Sequence, residues 1–456
     1  MTLANVIRHG RERQWRATPR LLGTLRNEDE RMMKVLILTS LHPGIIGEDV
    51  QGAYRRLSMF IDGIAKVAGH VEIVHFVHPD YPLSKVSFAQ FNREQSEFWQ
   101  VPIEATLLPL RHYSERRWWH RIFASLAYSY RDVPFGFGGR AQVKALEERL
   151  HCRYDMIFIH RLPCMSAVFR LRRSRLPPLV FDIDDVEHRV AIRSALGRHS
   201  WFSRSMGLLK VLAIFVAERK AMRLSERLFV CSDHDRRHLQ QLGFGNGVVA
   251  VSNATAIPSS CPPFFAAQTV LFLGFLAYRP NSEAAERLVS VIWPLVLHKC
   301  PWAQLIIAGK SPESVPSYKS APKNVEFTGL VGDLDMLYRR TRLVCCPLTN
   351  GGGTRVKLIE AAAYGKAMVS TTVGAEGLSF ADETEILIRD DDIGIAEACV
   401  RLLKDDGLCA RLGKAARRKA KSMYDGPVIR DGIASELRAI LSSGKTSSAR
   451  VSAFLD

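Results

Sequence analysis

No stretch of this chain reaches the roughly 18 consecutive apolar residues of a membrane-spanning helix. The longest apolar run, residues 206–217, is short and carries Lys210. No apolar signal segment follows the N-terminal arginines Arg8, Arg11, Arg13, Arg16, Arg20 and Arg26, so residues 1–32 are expected to form a loosely ordered basic arm. Cysteine is scarce: nine residues, an odd number, none in a C-x-x-C pair. That excludes a disulfide scaffold or a zinc ribbon and fits reduced core thiols in a cytosolic protein. No H-E-x-x-H, G-x-S-x-G or Walker motif occurs, because the first Walker glycine before Gly309-Lys310-Ser311 falls on Gln304. No G-x-G-x-x-G follows the first strand of either half, which argues against a dinucleotide oxidoreductase. Acidic residues are the minority sign: 46 against 63 Lys and Arg, a net charge of +17. An anionic partner is favoured. Nucleic acid is not expected, since no binding motif or RNP aromatic pattern accompanies the charge.

What is present is alternation. Buried-type runs at 34–39, 71–76, 156–160, 179–183, 227–232 and 247–251 read as strands separated by helical segments. Residues 257–263 hold three prolines and break any regular element. A second series follows, with strands at 269–273, 304–308, 325–328, 343–347 and 367–370, and helices at 282–297, 394–403, 407–424 and 427–441. The expected organisation is a basic arm over 1–32, a first Rossmann-like domain over 33–256, a Pro-rich hinge over 257–267 and a second Rossmann-like domain over 268–424. A C-terminal helix over 425–443 packing back on the first domain and a flexible tail over 444–456 complete it. The fold class is α/β, and ligands of such sheets sit beyond the carboxyl ends of the strands.

The chemistry concentrates after the strand at 343–347. There Gly351-Gly352-Gly353-Thr354-Arg355-Val-Lys357 leads into a helix expected to start at Thr354 and end near Gly365. Glycines let the backbone approach a ligand, and a helix N-terminus suits phosphate. Arg355 and Lys357 oppose the helix dipole, which makes sense if an anion binds there; the alternative is a tight loop with two solvated cations. Glu360 stands among apolar neighbours and needs a partner. Lys357 on the same helical face could be that partner, and Glu360 could also accept hydrogen bonds from sugar hydroxyls.

These residues, with Leu271-Phe-Leu-Gly274, Pro280-Asn281, Leu305-Ile-Ile-Ala-Gly309, Val325-Glu-Phe-Thr-Gly329 and Val369-Ser-Thr-Thr-Val-Gly374-Ala-Glu-Gly377, resemble the donor domain of family 4 retaining glycosyltransferases of the GT-B fold. The first half is similar to the acceptor domain of that family through the Gly47 loop, residues 182–187, Cys231-Ser232 and Val251-Ser-Asn253. The resemblance implies two Rossmann-like domains facing each other across a cleft. It implies a nucleotide diphosphate sugar as donor, transfer with retention, and no metal or other cofactor. Gly351, Gly352, Gly353, Thr354, Glu360, Asn281 and Arg279 would bind the donor, Arg355 and Lys357 would stabilise the diphosphate, and Gly47 would belong to an acceptor-side loop; Asp184 would either orient the acceptor or belong to a buried polar turn with Asp182, Asp185 and Glu187. The family's usual E-x7-E is replaced by G-x-G-T-R-x-K-x-x-E: its second Glu matches Glu360 and its first falls on Gly352. Phe275 stands where the family has an arginine.

The acceptor class implied by the resemblance is a glycan or a lipid-linked sugar, in polysaccharide or glycolipid biosynthesis. The other reading is a catalytically silent scaffold of a polysaccharide assembly. Arg161, Arg170, Arg172, Arg173 and Arg175, and Arg111, Arg116, Arg117 and Arg121 around Trp118 and Trp119, suggest peripheral contact with an anionic membrane from the cytoplasmic face. The alternative is a solvated face with two core tryptophans.

Overall fold

The computed structural model describes residues 33–41, 52–77, 88–109, 140–196, 201–244, 247–260 and 268–452. Gly47, the N-terminal arm, residues 111–121, residues 261–267 of the hinge and the last four residues of the tail lie outside the described residues. The chain divides into two compact units. One contains Gly23–Val251 and Arg430–Asp456, the other Ser252–Ile429.

The first unit is built on a seven-stranded sheet. Its strands are β1 (Met33–Thr39), β2 (Ala68–Val77), β3 (Ile103–Pro109), β4 (Met156–His160), β5 (Leu179–Asp184), β6 (Arg227–Val230) and β7 (Val248–Ala250). The order is β3-β2-β1-β4-β5-β6-β7, and every recorded pairing is parallel. β4 is buried along its whole length, as a parallel strand covered on both faces must be. Phe60, on the helix Gly52–Ala65, packs on Phe158 and Phe229 with ring centroids 4.8 and 5.2 Å apart. The C-terminal helix Gly426–Ser452 meets that same helix: Arg430 pairs with Asp62 at 2.9 Å, and a side chain at Gly63 would collide with Ile433.

The second unit repeats the plan with six strands: β8 (Thr269–Leu273), β9 (Gln304–Ala308), β10 (Val325–Gly329), β11 (Leu343–Cys346), β12 (Ala367–Ser370) and β13 (Leu387–Ile388). Their order, β10-β9-β8-β11-β12-β13, is again parallel. Both sheets therefore reverse direction beside their first strand, at β1/β4 and at β8/β11. Such a reversal opens a crevice at the strand ends where ligands bind.

Four details differ from the sequence expectation. β3 and β13 were not foreseen. The helix expected at 282–297 runs from Arg279 to Lys299 and passes through a π-helical turn at Leu288–Ile292. Pro294 follows that turn; it has no N–H to give the preceding turn, and a local change of winding absorbs the defect. The C-terminal helix continues past 443 to Ser452, and Gly444 does not end it. The units part between Val251 and Ser252, rather than at 256. Arg56 donates to the Val251 carbonyl within the first unit, and Thr255 donates to the Tyr424 carbonyl within the second.

Candidate donor site at the β8/β11 crevice

The crevice of the second unit begins at Gly274, directly after β8. Its N–H donates to the Ala308 carbonyl at 2.9 Å. Gly309 adopts φ +147°, and a Cβ there would stand 1.7 Å from the Gly274 carbonyl oxygen. Two loops touch through bare backbone at this point. The Gly309-Lys310-Ser311 sequence thus serves a loop-to-loop contact.

A Cβ on Gly274 would lie 2.8 Å from Lys357 Nζ and 2.9 Å from Asn281 Nδ2. The Lys357 ammonium donates to Asn281 Oδ1 at 2.8 Å and lies 4.5 Å from the centre of the Phe272 ring. Asn281 Nδ2 donates to the Phe275 carbonyl at 2.9 Å, so the amide is held at both ends. Burial pulls the Lys357 pKa down from its ordinary 10.5 to about 8. The charge of Arg355 pushes in the same direction, and that of Glu360 opposes it. A cation held this way responds strongly to an arriving anion.

The glycine loop closes the other side. Gly351 (φ +114°) and Gly353 (φ +70°) occupy left-handed backbone that other residues rarely adopt. The Gly351 N–H is taken by the Asn350 side chain at 2.8 Å. The helix begins at Val356, two residues later than Thr354, with Arg355 as its N-cap. Arg355 is buried and turned inward: Nη1 donates to the carbonyls of Gly352 and Gly353. Its Nε is buried without a hydrogen-bond partner. The Thr354 hydroxyl accepts from Asn253 Nδ2 at 2.6 Å, which fixes the loop instead of opening the helix. Glu360 is buried on the same helix. Arg279, in contrast, is exposed and paired with Glu283 at 2.6 Å. Of the residues expected at the donor, the structure gathers Asn281, Lys357, Arg355 and the 351–354 loop and turns Arg279 to solvent.

Sequence reasoning missed Tyr278 and gave Gly274 no role at the site beyond its place in the motif. The Tyr278 hydroxyl lies 3.5 Å from where a Gly351 Cβ would be, and the residue is about half exposed. The glycine directly after β8 was the available signal for a close approach.

Asp184 belongs to the first unit, at the end of β5, and has φ +60°. Arg161, at the end of β4, has φ +72°. Two non-glycine residues in this conformation meet: Arg161 Nε is 3.7 Å from Asp184 Oδ2. Arg56 Nε lies 3.5 Å from Asp184 Oδ1 and pairs with Asp182 through two nitrogens at 2.5–3.0 Å. Burial opposes the Arg56 charge, but the neighbouring Asp182 carboxylate outweighs it and the guanidinium pKa rises. Burial likewise opposes the Asp182 charge, and Arg56 and His160 Nδ1, 3.1 Å away, hold its pKa below the ordinary value. Burial keeps the Cys231 thiol protonated, and it donates to the Asp184 carbonyl at 2.6 Å. Asp184, Asp185 and Cys231 could together offer three metal ligands within 4.8 Å of one another, but two guanidinium groups already face Asp184. Glu187, two residues after Asp185, has its pKa raised to about 7 by burial.

Among the basic clusters, Arg161 is engaged with Asp184, whereas Arg170, Arg172 and Arg173 are exposed. The Trp118–Trp119 cluster lies outside the described residues.

Residues 267–405 match the family model of glycosyl transferases group 1. An uncharacterized 44.6 kDa protein in the cps region of Klebsiella pneumoniae is 23% identical over 144 residues. That match covers 30% of this chain and 37% of the relative, so the chain spans little more than a third of the relative's length. Among solved structures, sucrose-phosphate synthase from Thermosynechococcus elongatus aligns with a TM-score of 0.65 at 16% identity, over 90% of this chain and 100% of its own. Anabaena HepE in complex with UDP-glucose aligns at 0.58 and 14% identity, over 89% and 100%. S. aureus TarM in complex with Fondaparinux, alpha-GlcNAc-glycerol and UDP aligns at 0.60 and 12%, over 90% and 100%. The two parallel sheets and their flanking helices are those of the GT-B glycosyltransferase fold, and its second half matches the group 1 model.

Proposed function

We propose that this chain is a glycosyltransferase that moves a sugar from a nucleotide diphosphate sugar to a glycan or lipid-linked acceptor, with retention and without a metal, in polysaccharide or glycolipid synthesis. The observation that carries the reading is the half-buried Lys357 ammonium, oriented by Asn281 against the bare backbone of Gly274 at the β8/β11 crevice. HepE bound to UDP-glucose and TarM bound to UDP share the fold, which supports a nucleotide-sugar donor.

As the sugar–phosphate bond breaks, negative charge grows on the leaving diphosphate. A cation already fixed at that spot stabilises the transition state more than the ground state. Lys357 supplies this charge. Arg355 contributes by locking the carbonyls of Gly352 and Gly353, and its unpartnered Nε is a donor that the diphosphate would satisfy. Glu360 accepts from hydroxyls of the donor. Asp184, held by Arg56 and Arg161, orients the acceptor.

A panel of UDP-, GDP- and ADP-sugars tests the reading, first by thermal stabilisation and then by release of nucleoside diphosphate in the presence of acceptor. Binding of one donor with transfer or hydrolysis supports it. Binding with neither supports the silent scaffold, the reading motivated by Gly352 in place of the first Glu.

A further inference from the structure

The helix Trp201–Leu224 buries one face under the first sheet through Ala213, Ile214, Ala217 and Ala221. Among its described residues, the opposite face is exposed, apolar as far as Val216 and cationic beyond it. Trp201 is 81% exposed and Leu212 60%; Leu208, Leu212 and Val216 follow one another at four-residue steps two turns after Trp201, and the exposed Arg219 and Arg223 carry on the same stripe toward the C-terminus. The helix Glu187–Leu196 packs against it and exposes Ile192 and Leu196 one turn apart.

Charge on the long helix has one sign. Arg204, Lys210, Arg219, Lys220 and Arg223 are exposed, and the only acid, Glu218, is fully buried against His188. No helix among the described residues is long and apolar enough to cross a membrane. An uncovered apolar row beside exposed cations fits a helix lying in the plane of a bilayer interface, with its side chains among the acyl chains and its cations at anionic headgroups. Pairing with a second copy would set these cations against one another with no exposed acid on the helix to offset them.

We propose that the exposed face of Trp201–Leu224 docks on an anionic lipid bilayer. This does not rest on the sugar-transfer reading and concerns a different surface from the β8/β11 crevice.

The full chain is sedimented with vesicles of phosphatidylglycerol and phosphatidylcholine in equal parts, and with pure phosphatidylcholine. Expected are retention on the mixed vesicles at low salt and release at high salt. Brominated lipid should quench a fluorescence component that is missing in Trp201→Phe. Leu208→Glu with Leu212→Glu should weaken binding at least about tenfold, and Arg219→Glu with Arg223→Glu should do so through charge alone. All four sites are exposed, and thermal melts identical to the parent confirm the fold of each variant. Equal binding to neutral vesicles, unchanged binding of the double leucine variant, or a dimer that Leu212→Glu abolishes in a protein that binds no vesicle would each overturn the proposal.

Discussion

Lys357 Nζ and Asn281 Oδ1 meet at 2.8 Å although 76 positions separate them in the chain. The bond brings the start of one helix against the start of another at the point where the second sheet reverses. It fixes an ammonium in a place too crowded for a side chain at Gly274. In the proposed function, binding of a diphosphate depends on this pair.

Removing either partner tests that dependence. Lys357→Met keeps the apolar stem and deletes the charge. It should lower turnover at least about tenfold, the rate scale of about 1.4 kcal/mol, while the melting temperature stays within a few degrees. Asn281→Ala should have a smaller effect of the same direction, because the ammonium remains but loses its orientation. Steady-state release of nucleoside diphosphate reads both.

The pH dependence follows from burial. Lys357 titrates near 8, below its ordinary 10.5, so it is charged at pH 7 and neutral at pH 9. Donor affinity should therefore fall as pH rises through about 8, and in Lys357→Met the profile should be flat there. Stability without donor moves oppositely. Between about 8 and 10.5 the unfolded lysine holds a proton that the folded one has released, so this residue's contribution rises with pH. Titration calorimetry and denaturant midpoints across this window separate the two trends.

Gly309→Ala should be among the most damaging single-methyl additions. The new Cβ would fall 1.7 Å from the Gly274 carbonyl oxygen, at a φ of +147°. The backbones must separate, at a cost of about 3 kcal/mol or more. Gly243→Ala, also at positive φ but with nothing within 4 Å, is the control that isolates the collision from the strain. Urea midpoints measure the difference.

Arg56 and Asp182 are both fully buried, so breaking the pair strands a charge. Arg56→Met should cost about 3–5 kcal/mol, and Arg56→Met with Asp182→Leu should recover part of it. A double-mutant cycle in denaturant gives the coupling.

Much of the fold was legible because parallel strands covered on both faces write continuous apolar runs. β4, β8, β9 and β12 begin and end at the residues read from the sequence. β3 was missed because Ile103-Glu104-Ala105-Thr106 alternates at the sheet edge, and β13 because it is two residues long. At the site, the glycine loop, the cations and Glu360 stood out as residue types, but their partners did not. Glu360 was one possible partner for Lys357 on its own helix; the hydrogen bond of Lys357 to Asn281 is a contact made by sheet topology and was not legible. The inward turn of Arg355 was equally hidden, since it depends on the backbone angles of Gly351 and Gly353. The buried Arg56–Asp182 pair joins residues 126 apart, a distance no local pattern spans.

The most direct measurement follows nucleoside diphosphate released from a bound sugar donor by the parent chain and by Glu360→Ala, alongside thermal shifts with the same donors. The account predicts one donor class that raises the melting temperature and is turned over by the parent, with turnover at least about tenfold lower in a folded Glu360→Ala. No stabilisation by any UDP-, GDP- or ADP-sugar, or identical turnover in the two proteins, would contradict it.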